Sequence, residues 1–157
     1  MDYYSSIADG YNELYGDEQL NKVEIIIKEL KIKNEKVLDI GCGTAFYSYL
    51  FKDYTGIDIS KGLLKKANNN VIFGKAEKLQ FNDKSFDVVI CVTAIHNFDD
   101  PEKAILEMKR VSKGKIVITL LKRAKNFKFL KELIEKNLKV YNFEEDKDII
   151  FIQDSYN

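Results

Sequence analysis

The stretch KVLDIGCGTA, residues 36–45, decides the fold of this chain. Residues 37–40 have the character of a buried strand, and Gly41 and Gly43 predict a tight turn after it. The following residues, Ala45 to Lys52, can run as a helix. A strand, a glycine turn and a helix in this order bring backbone N–H groups up against a ligand. The stretch therefore predicts a ligand site at the turn.

The glycine turn does not match the dinucleotide-binding fingerprint G-x-G-x-x-G. Phe46 stands where that motif needs a third small residue for close packing of helix and strand. A dehydrogenase that binds a nicotinamide cofactor is therefore disfavoured, although a simple strand–helix turn without a ligand stays open.

Strands and helices are predicted to alternate along the rest of the chain. Further strands are expected at residues 54–58, 71–74, 86–92 and 115–121, and a terminal hairpin at 138–143 and 148–153. Helices are expected after Asp17 as N-cap, after Ser60, from Asp100-Pro101 to Gly114, and around residues 127–134. The pattern predicts an α/β fold: a doubly wound, mostly parallel seven-stranded sheet with an antiparallel C-terminal hairpin strand. One domain is expected over residues 1–157.

Several polar or small residues follow the predicted strand ends, where ligands of such sheets bind. Asp58 lies 17 residues after Gly41, a separation that suits an acceptor for ribose hydroxyls, and a helix cap is the alternative role. Asp39 could face an amino group of a cofactor or anchor the turn through backbone hydrogen bonds. His96 is the only histidine and is a candidate general base, with lining of a pocket or bonding within its loop as alternatives.

Four ordered motifs, at residues 37–45, 54–60, 74–88 and 93–101, resemble those of the class I S-adenosylmethionine-dependent methyltransferases. Residues 37–44, VLDIGCGT, are similar to motif I of that family. Residues 74–81, GKAEKLQF, followed by SFD at 85–87, resemble its G-D-A-E-x-L-P-F and S-F-D stretches, with Lys75 and Gln80 as departures. The segment TAIHNF at 93–98 is similar to its A-L-H-H-V segment. The chain resembles in particular the small branch that includes the ubiquinone and menaquinone methyltransferases.

The resemblance implies a Rossmann-like methyltransferase fold and methyl transfer from S-adenosyl-L-methionine, which releases S-adenosyl-L-homocysteine. Lys75 cannot accept a hydrogen bond from the adenine amino group, so Glu77 or a backbone carbonyl is expected to do so. No metal is expected, and His96 is the candidate catalytic residue. The cofactor-binding residues implied are Tyr11, Asp39, Gly41, Cys42, Gly43, Asp58, Ile59, Ala76, Glu77 and Thr93.

Composition and charge constrain the partners only weakly. The chain has 25 basic and 25 acidic residues, but residues 109–139 carry eleven bases and two acids. That block could bind RNA, and a solvated helix face is the favoured alternative. Two cysteines without metal spacing and no long apolar run predict a cytoplasmic protein without membrane contact.

The methyl acceptor is not predicted, and it could be a small molecule or a macromolecule. A tyrosine-rich segment at residues 1–16 could act as a lid over the site. A non-catalytic subunit with a cofactor fold, working with a partner protein, is the alternative to an enzyme, as is a methyltransferase that acts on RNA.

Overall fold

The structure is a computed structural model that describes residues 11–67 and 70–155, with side chains from residue 16 onward. Its helices are α1 (Tyr11–Leu30), α2 (Lys61–Leu64), α3 (Pro101–Val111) and α4 (Phe127–Asn137). Its strands are β1 (Lys36–Ile40), β2 (Asp53–Asp58), β3 (Val71–Phe73), β4 (Phe86–Val92), β5 (Ser112–Leu121), β6 (Tyr141–Glu145) and β7 (Asp148–Asp154). Short 3₁₀ helices occur at Ser48–Leu50 and Ile95–Asn97.

These strands form one seven-stranded sheet in the order β3-β2-β1-β4-β5-β7-β6. The first five strands pair in parallel, and β7 is antiparallel to both β5 and β6. The predicted fold is confirmed, including the antiparallel strand that the terminal hairpin inserts into the sheet.

Two apolar cores cover the two faces of the sheet. One core joins α3 and α4 to the sheet through residues such as Ile105, Met108 and Ile134, which are fully buried. The other core joins α1 to the opposite face through Val23 and Ile26, which are fully buried as well. Because both faces are covered, β4 and β5 are almost continuously apolar, as central parallel strands usually are.

The predicted helix over residues 45–52 is wrong. Only the 3₁₀ helix Ser48–Leu50 forms there, because Ala45 has a left-handed backbone with φ of 52°. A left-handed residue interrupts a right-handed helix. In addition, the Tyr47 side chain is held by a hydrogen bond to Asp39, which fixes the segment in another course.

The predicted start of the first helix is also wrong. Asp17 does not cap it, because the helix already runs from Tyr11, and Glu13 and Leu14 ahead of Asp17 are good helix formers. The predicted lid, residues 1–16, falls partly outside the described residues, and its residues 11–16 belong to α1. Ser60 and Asp100 do cap their helices: their side chains accept from the amides of Leu63 and Lys103.

Candidate active site

A cavity of about 430 Å³ opens at the carboxyl ends of the parallel strands, beside α1. Strand ends of this kind point backbone and side-chain polar groups into one crevice. The cavity brings together most of the site residues predicted from the sequence, namely Gly41, Gly43, Asp58, Ile59, Ala76, Glu77, Thr93 and His96. Asp39 and Cys42 do not line it, and the Tyr11 side chain lies outside the described part of the chain.

The glycine turn uses its backbone N–H groups inside the protein. The amides of Gly41 and Cys42 both donate to the carbonyl oxygen of Ile57, at 2.8 and 3.0 Å. The Gly43 amide donates to Oδ2 of Asp58 at 2.8 Å. The prediction that these amides stand bare toward a ligand is therefore wrong.

Gly41 is required by packing as well as by its backbone. Its φ of 77° lies in the left-handed region that glycine tolerates best. A Cβ placed on Gly41 would lie 2.5 Å from the Cβ of Ala94. The loop after β4 thus lies directly against the turn, which closes one wall of the cavity.

Asp58 connects the glycine turn to the start of α2. Besides the Gly43 amide on Oδ2, it accepts the Ser60 amide on Oδ1 at 2.8 Å. The helix cap itself is the Ser60 hydroxyl, which accepts from the Leu63 amide. A carboxylate has about four acceptor positions, so Asp58 can still accept hydrogen bonds from a ligand in the cavity.

Asp39 lies behind the glycine turn in a buried cluster with two tyrosines. The phenols of Tyr47 and Tyr54 both donate to its Oδ2 at 2.6 Å. Its Oδ1 is buried and has no partner among the residues that the structure describes. Burial raises the pKa of Asp39 to about 6, although the two phenols act in the opposite direction. Neither of the two roles predicted for Asp39 matches this arrangement.

The loop after β3 forms the cavity wall next to Asp58. Ala76 and the side chain of Ile59 give this wall an apolar patch. Glu77 lines the cavity too, but its Oε2 already accepts the Asp100 amide at 3.1 Å. Lys75 lines the cavity at the same wall.

His96 lies in the 3₁₀ helix that follows β4 and lines the cavity. Its Nδ1 is buried and finds no hydrogen-bond partner within the described residues. Burial lowers the pKa of His96, and the nearby Asp148 carboxylate only partly opposes this effect. The imidazole is therefore neutral near pH 7 and can accept a proton or a hydrogen bond.

Thr93 is the centre of a polar cluster that the sequence did not predict. Its hydroxyl donates to Oδ2 of Asp148 at 2.7 Å and accepts from Nζ of Lys22 at 3.3 Å. The Lys22 ammonium also lies 3.1 Å from Oδ1 of Asp148, and both side chains are buried. Thr93 has a φ of 50°, which is rare for a β-branched residue and marks local strain.

One signal in the sequence could have revealed Lys22. It is spaced four and eight residues before Ile26 and Leu30, so a lysine occupies the buried stripe of α1. A charge on such a stripe needs a buried partner. Nothing in the sequence indicates that the partner is Asp148, 126 positions away. Across the described residues, no group of histidine, cysteine and acidic side chains could hold a metal ion.

Comparison with known proteins agrees with this geometry. The sequence profile of the methyltransferase domain family matches residues 38–118. An uncharacterised protein of Methanocaldococcus jannaschii is 31% identical over 96% of this chain and 75% of its own length. The demethylmenaquinone methyltransferase of Thermotoga maritima is 30% identical over 75% of this chain and 59% of its own. The chain spans about half the length of several curated relatives, 47% in two of them.

Among solved structures, a methyltransferase-fold chain in complex with the Haloferax volcanii Trm112 methyltransferase activator superposes with a TM-score of 0.81. The alignment covers 100% of this chain and 99% of the other at 13% identity, so it shows the shared fold. No helix in the described part of the chain is long and apolar enough to cross a membrane. The profile match over half of the sequence, together with the fold, shows that this chain belongs to the methyltransferase domain family, the class I S-adenosylmethionine-dependent methyltransferases.

Proposed function

We propose that this chain transfers the methyl group of S-adenosylmethionine to an acceptor by direct in-line displacement. The observation that carries the proposal is the shared cavity. One wall holds Asp58, Ile59 and Ala76, and another holds Thr93 and His96 at the end of β4. A cofactor and an acceptor can therefore meet in one crevice.

The residues of the cavity fit the chemical groups of the cofactor. The Asp58 carboxylate has acceptor capacity left for ribose hydroxyls, while Ile59 and Ala76 offer apolar surface to an adenine ring. The cofactor supplies a methyl group that its sulfonium has already activated. The protein has only to hold the two reactants in line and to exclude water.

We propose that His96 lines this crevice and accepts a proton only from acceptors that need deprotonation. Because burial lowers the pKa of His96, the imidazole is neutral and does not repel the positively charged sulfonium of the cofactor. A neutral imidazole is also the form that a general base requires. An acceptor that is already unprotonated would use His96 for positioning alone.

Isothermal titration with S-adenosylhomocysteine and with NAD tests the proposal. We expect binding of the first ligand in the micromolar range and no binding of the second. Binding of NAD alone would indicate a dehydrogenase. A folded protein that binds neither ligand would indicate a subunit without a cofactor site. Incubation with radiolabelled S-adenosylmethionine and cell extract, fractionated into small molecules, RNA and protein, would then identify the acceptor class.

We also propose, as a second candidate function, that the protein works together with a protein partner. The resemblance to a chain solved with a methyltransferase activator supports it. So does an apolar surface at the edge of the sheet, here called the β3 edge surface, formed by Ile72 and Phe73, which are both exposed. Among the described strands, β3 pairs with β2 alone. An exposed apolar edge strand is a template for a strand of another protein.

Phe73 and Phe129 provide a matched test of this surface. Both side chains are 55% exposed, but Phe129 lies on α4 and not at the β3 edge. We expect Phe73→Lys to abolish co-purification with a Trm112-type activator, whereas Phe129→Lys preserves it. Equal effects of the two substitutions, or no complex with the unmodified chain, would contradict the partner proposal and leave the cofactor titration unaffected.

A further inference from the structure

The charged side chains that line the cavity are separated by sign. Four charged side chains lie at the wall formed by β2, β3 and the loop after β4, and three of them are carboxylates. These four residues are Asp58, Lys75, Glu77 and Asp99. At the wall formed by α1, the end of β5 and the terminal hairpin, three of four are cations. These four residues, Glu18, Lys22, Arg123 and Lys147, are called the basic end. The cavity is therefore electrically polar along its length.

Lys22 is the buried member of the basic end. It is 3% exposed, and its ammonium contacts Asp148 at 3.1 Å and Thr93 at 3.3 Å. An ammonium has three N–H donors, and the described residues provide partners for two of them. One donor is left for a ligand at the cavity wall that Lys22 lines.

Glu18 shows that cations converge at the basic end. Its carboxylate accepts a hydrogen bond from Lys147 at 2.6 Å. This bond, with the charges of Lys147, Lys22 and Arg123, holds the pKa of Glu18 below its usual value. A single carboxylate thus lies within the field of three cations.

Arg123 is the cation of the basic end that forms no ion pair with a described carboxylate, although its charge helps to lower the pKa of Glu18. Asp148 balances Lys22 and Glu18 balances Lys147, whereas Arg123 makes no ion pair with any described residue. It lies just after β5, exposed at the mouth of the cavity. A guanidinium is suited to bidentate binding of carboxylates and phosphates.

We propose that the basic end binds an anionic group, a carboxylate or a phosphate, of a small-molecule methyl acceptor. Arg123 makes the main contact, and the remaining Lys22 donor makes the second. This inference rests on the proposed methyl transfer, because the acidic wall is assigned there to the cofactor. The charge separation favours the cationic sulfonium of the cofactor at the acidic wall and an anionic acceptor at the basic end. The cofactor's own α-carboxylate is a competing anion, and saturation with S-adenosylhomocysteine occupies its site before the acceptor anion is tested.

A titration of the full chain, saturated with S-adenosylhomocysteine, tests the proposal with three probes: benzoate, inorganic phosphate and benzamide. Benzamide has nearly the shape of benzoate without its charge. We expect at least one anion to bind in the millimolar range, followed by NMR, and benzamide to bind about tenfold more weakly than benzoate. Tighter binding of benzoate than of phosphate assigns a carboxylate acceptor, and the reverse assigns a phosphate ester.

Variants in one loop locate the binding. Arg123→Gln should lower the affinity for the anion about threefold to tenfold, whereas Lys125→Gln should leave this affinity within about twofold of the unmodified chain. Lys125 is the matched control, because it is exposed in the same loop and does not line the cavity. Glu18→Gln removes a carboxylate that competes with the anion for the cations of the basic end, so it should raise the affinity for the anion.

A double variant, Lys22→Met with Asp148→Asn, removes the buried pair without leaving either charge alone. If it folds, as judged by circular dichroism, it should weaken the anion about threefold. If it does not fold, the comparison of Arg123→Gln with Lys125→Gln still decides.

Three results would overturn the proposal. They are equal affinities for benzoate and benzamide when phosphate does not bind, equal affinities of Arg123→Gln and Lys125→Gln for the anion, and binding of tRNA through Arg123 without binding of small anions. Titration of the ligand-free chain separates this inference from the proposed function. If the chain bound the anion but not S-adenosylhomocysteine, the anion site would stand, but it could no longer be assigned to a methyl acceptor.

Discussion

The Gly43 amide donates to Oδ2 of Asp58 over 2.8 Å, so the residue assigned to the ribose also fixes the glycine turn. The two strand ends β1 and β2 are thereby joined at the cavity. Loss of the Asp58 carboxylate should affect ligand binding and folding together, and the two effects can be measured separately.

Asp58→Ala is expected to lower the affinity for S-adenosylhomocysteine about tenfold to a hundredfold, because a charged hydrogen bond contributes about 1.5–3 kcal/mol. Calorimetric titration measures this change, and thermal unfolding measures the loss of the turn. Asp53→Ala is the control, because Asp53 lies exposed at the opposite end of the same strand. Unchanged affinity in a folded Asp58→Ala protein would limit Asp58 to its structural role.

Gly41→Ala should destabilise the fold through two separable causes. The new Cβ would lie 2.5 Å from that of Ala94, and the φ of 77° is strained for alanine by about 1–2 kcal/mol. The double variant with Ala94→Gly removes the clash and keeps the strain. Urea denaturation should therefore show the double variant to be more stable than additivity of the two single changes predicts. Simple additivity would show that the contact with Ala94 is not the cause.

Asp39 should make the stability of the protein fall as pH rises. Its pKa is raised to about 6 in the folded state from a usual value of 3.8, so the unfolded chain ionises first. Between about pH 4 and 6 the free energy of unfolding should decrease by about 2–3 kcal/mol from this group alone. Asp39→Asn keeps an acceptor for Tyr47 and Tyr54 and should remove that decrease. Parallel pH profiles of the two proteins in urea denaturation would contradict the assignment.

His96 should titrate below pH 6.5, because burial lowers its pKa. It is the only histidine in the chain, so its ring proton gives a single NMR titration curve. The neutral form is favoured by folding, and its stabilising contribution should be present above pH 6.5 and lost as pH falls below that value. A curve centred at or above 6.5 would contradict the burial of the ring.

The sequence predicted the strands and most of the cavity residues, because these depend on local patterns. Runs of apolar residues mark β4 and β5, and glycines or acids at the strand ends mark Gly41 and Asp58. The helix over 45–52 was mispredicted because the left-handed Ala45 leaves no local trace in the sequence. Propensity alone does not show a backbone that tertiary contacts impose.

The polar cluster around Thr93 was missed for a different reason. Lys22, Thr93 and Asp148 come from three distant parts of the chain, and only the sheet order brings β4 and β7 close enough for one helix to contact both. The tyrosine bonds of Asp39 likewise depend on the neighbouring β2 strand, which carries Tyr54. Such contacts follow from topology, which a single sequence does not encode locally.

The insertion of β7 between β5 and β6 has a consequence for synthesis on the ribosome. Among the described strands β6 pairs only with β7, which follows it in the chain, so β6 has no native partner in the sheet when it emerges. Until β7 appears, β5 presents an open edge with a row of unpaired backbone groups, such as those of Val117 and Thr119. Nascent chains of this protein should therefore be most prone to aggregation, and most dependent on chaperones, just before β7 is complete.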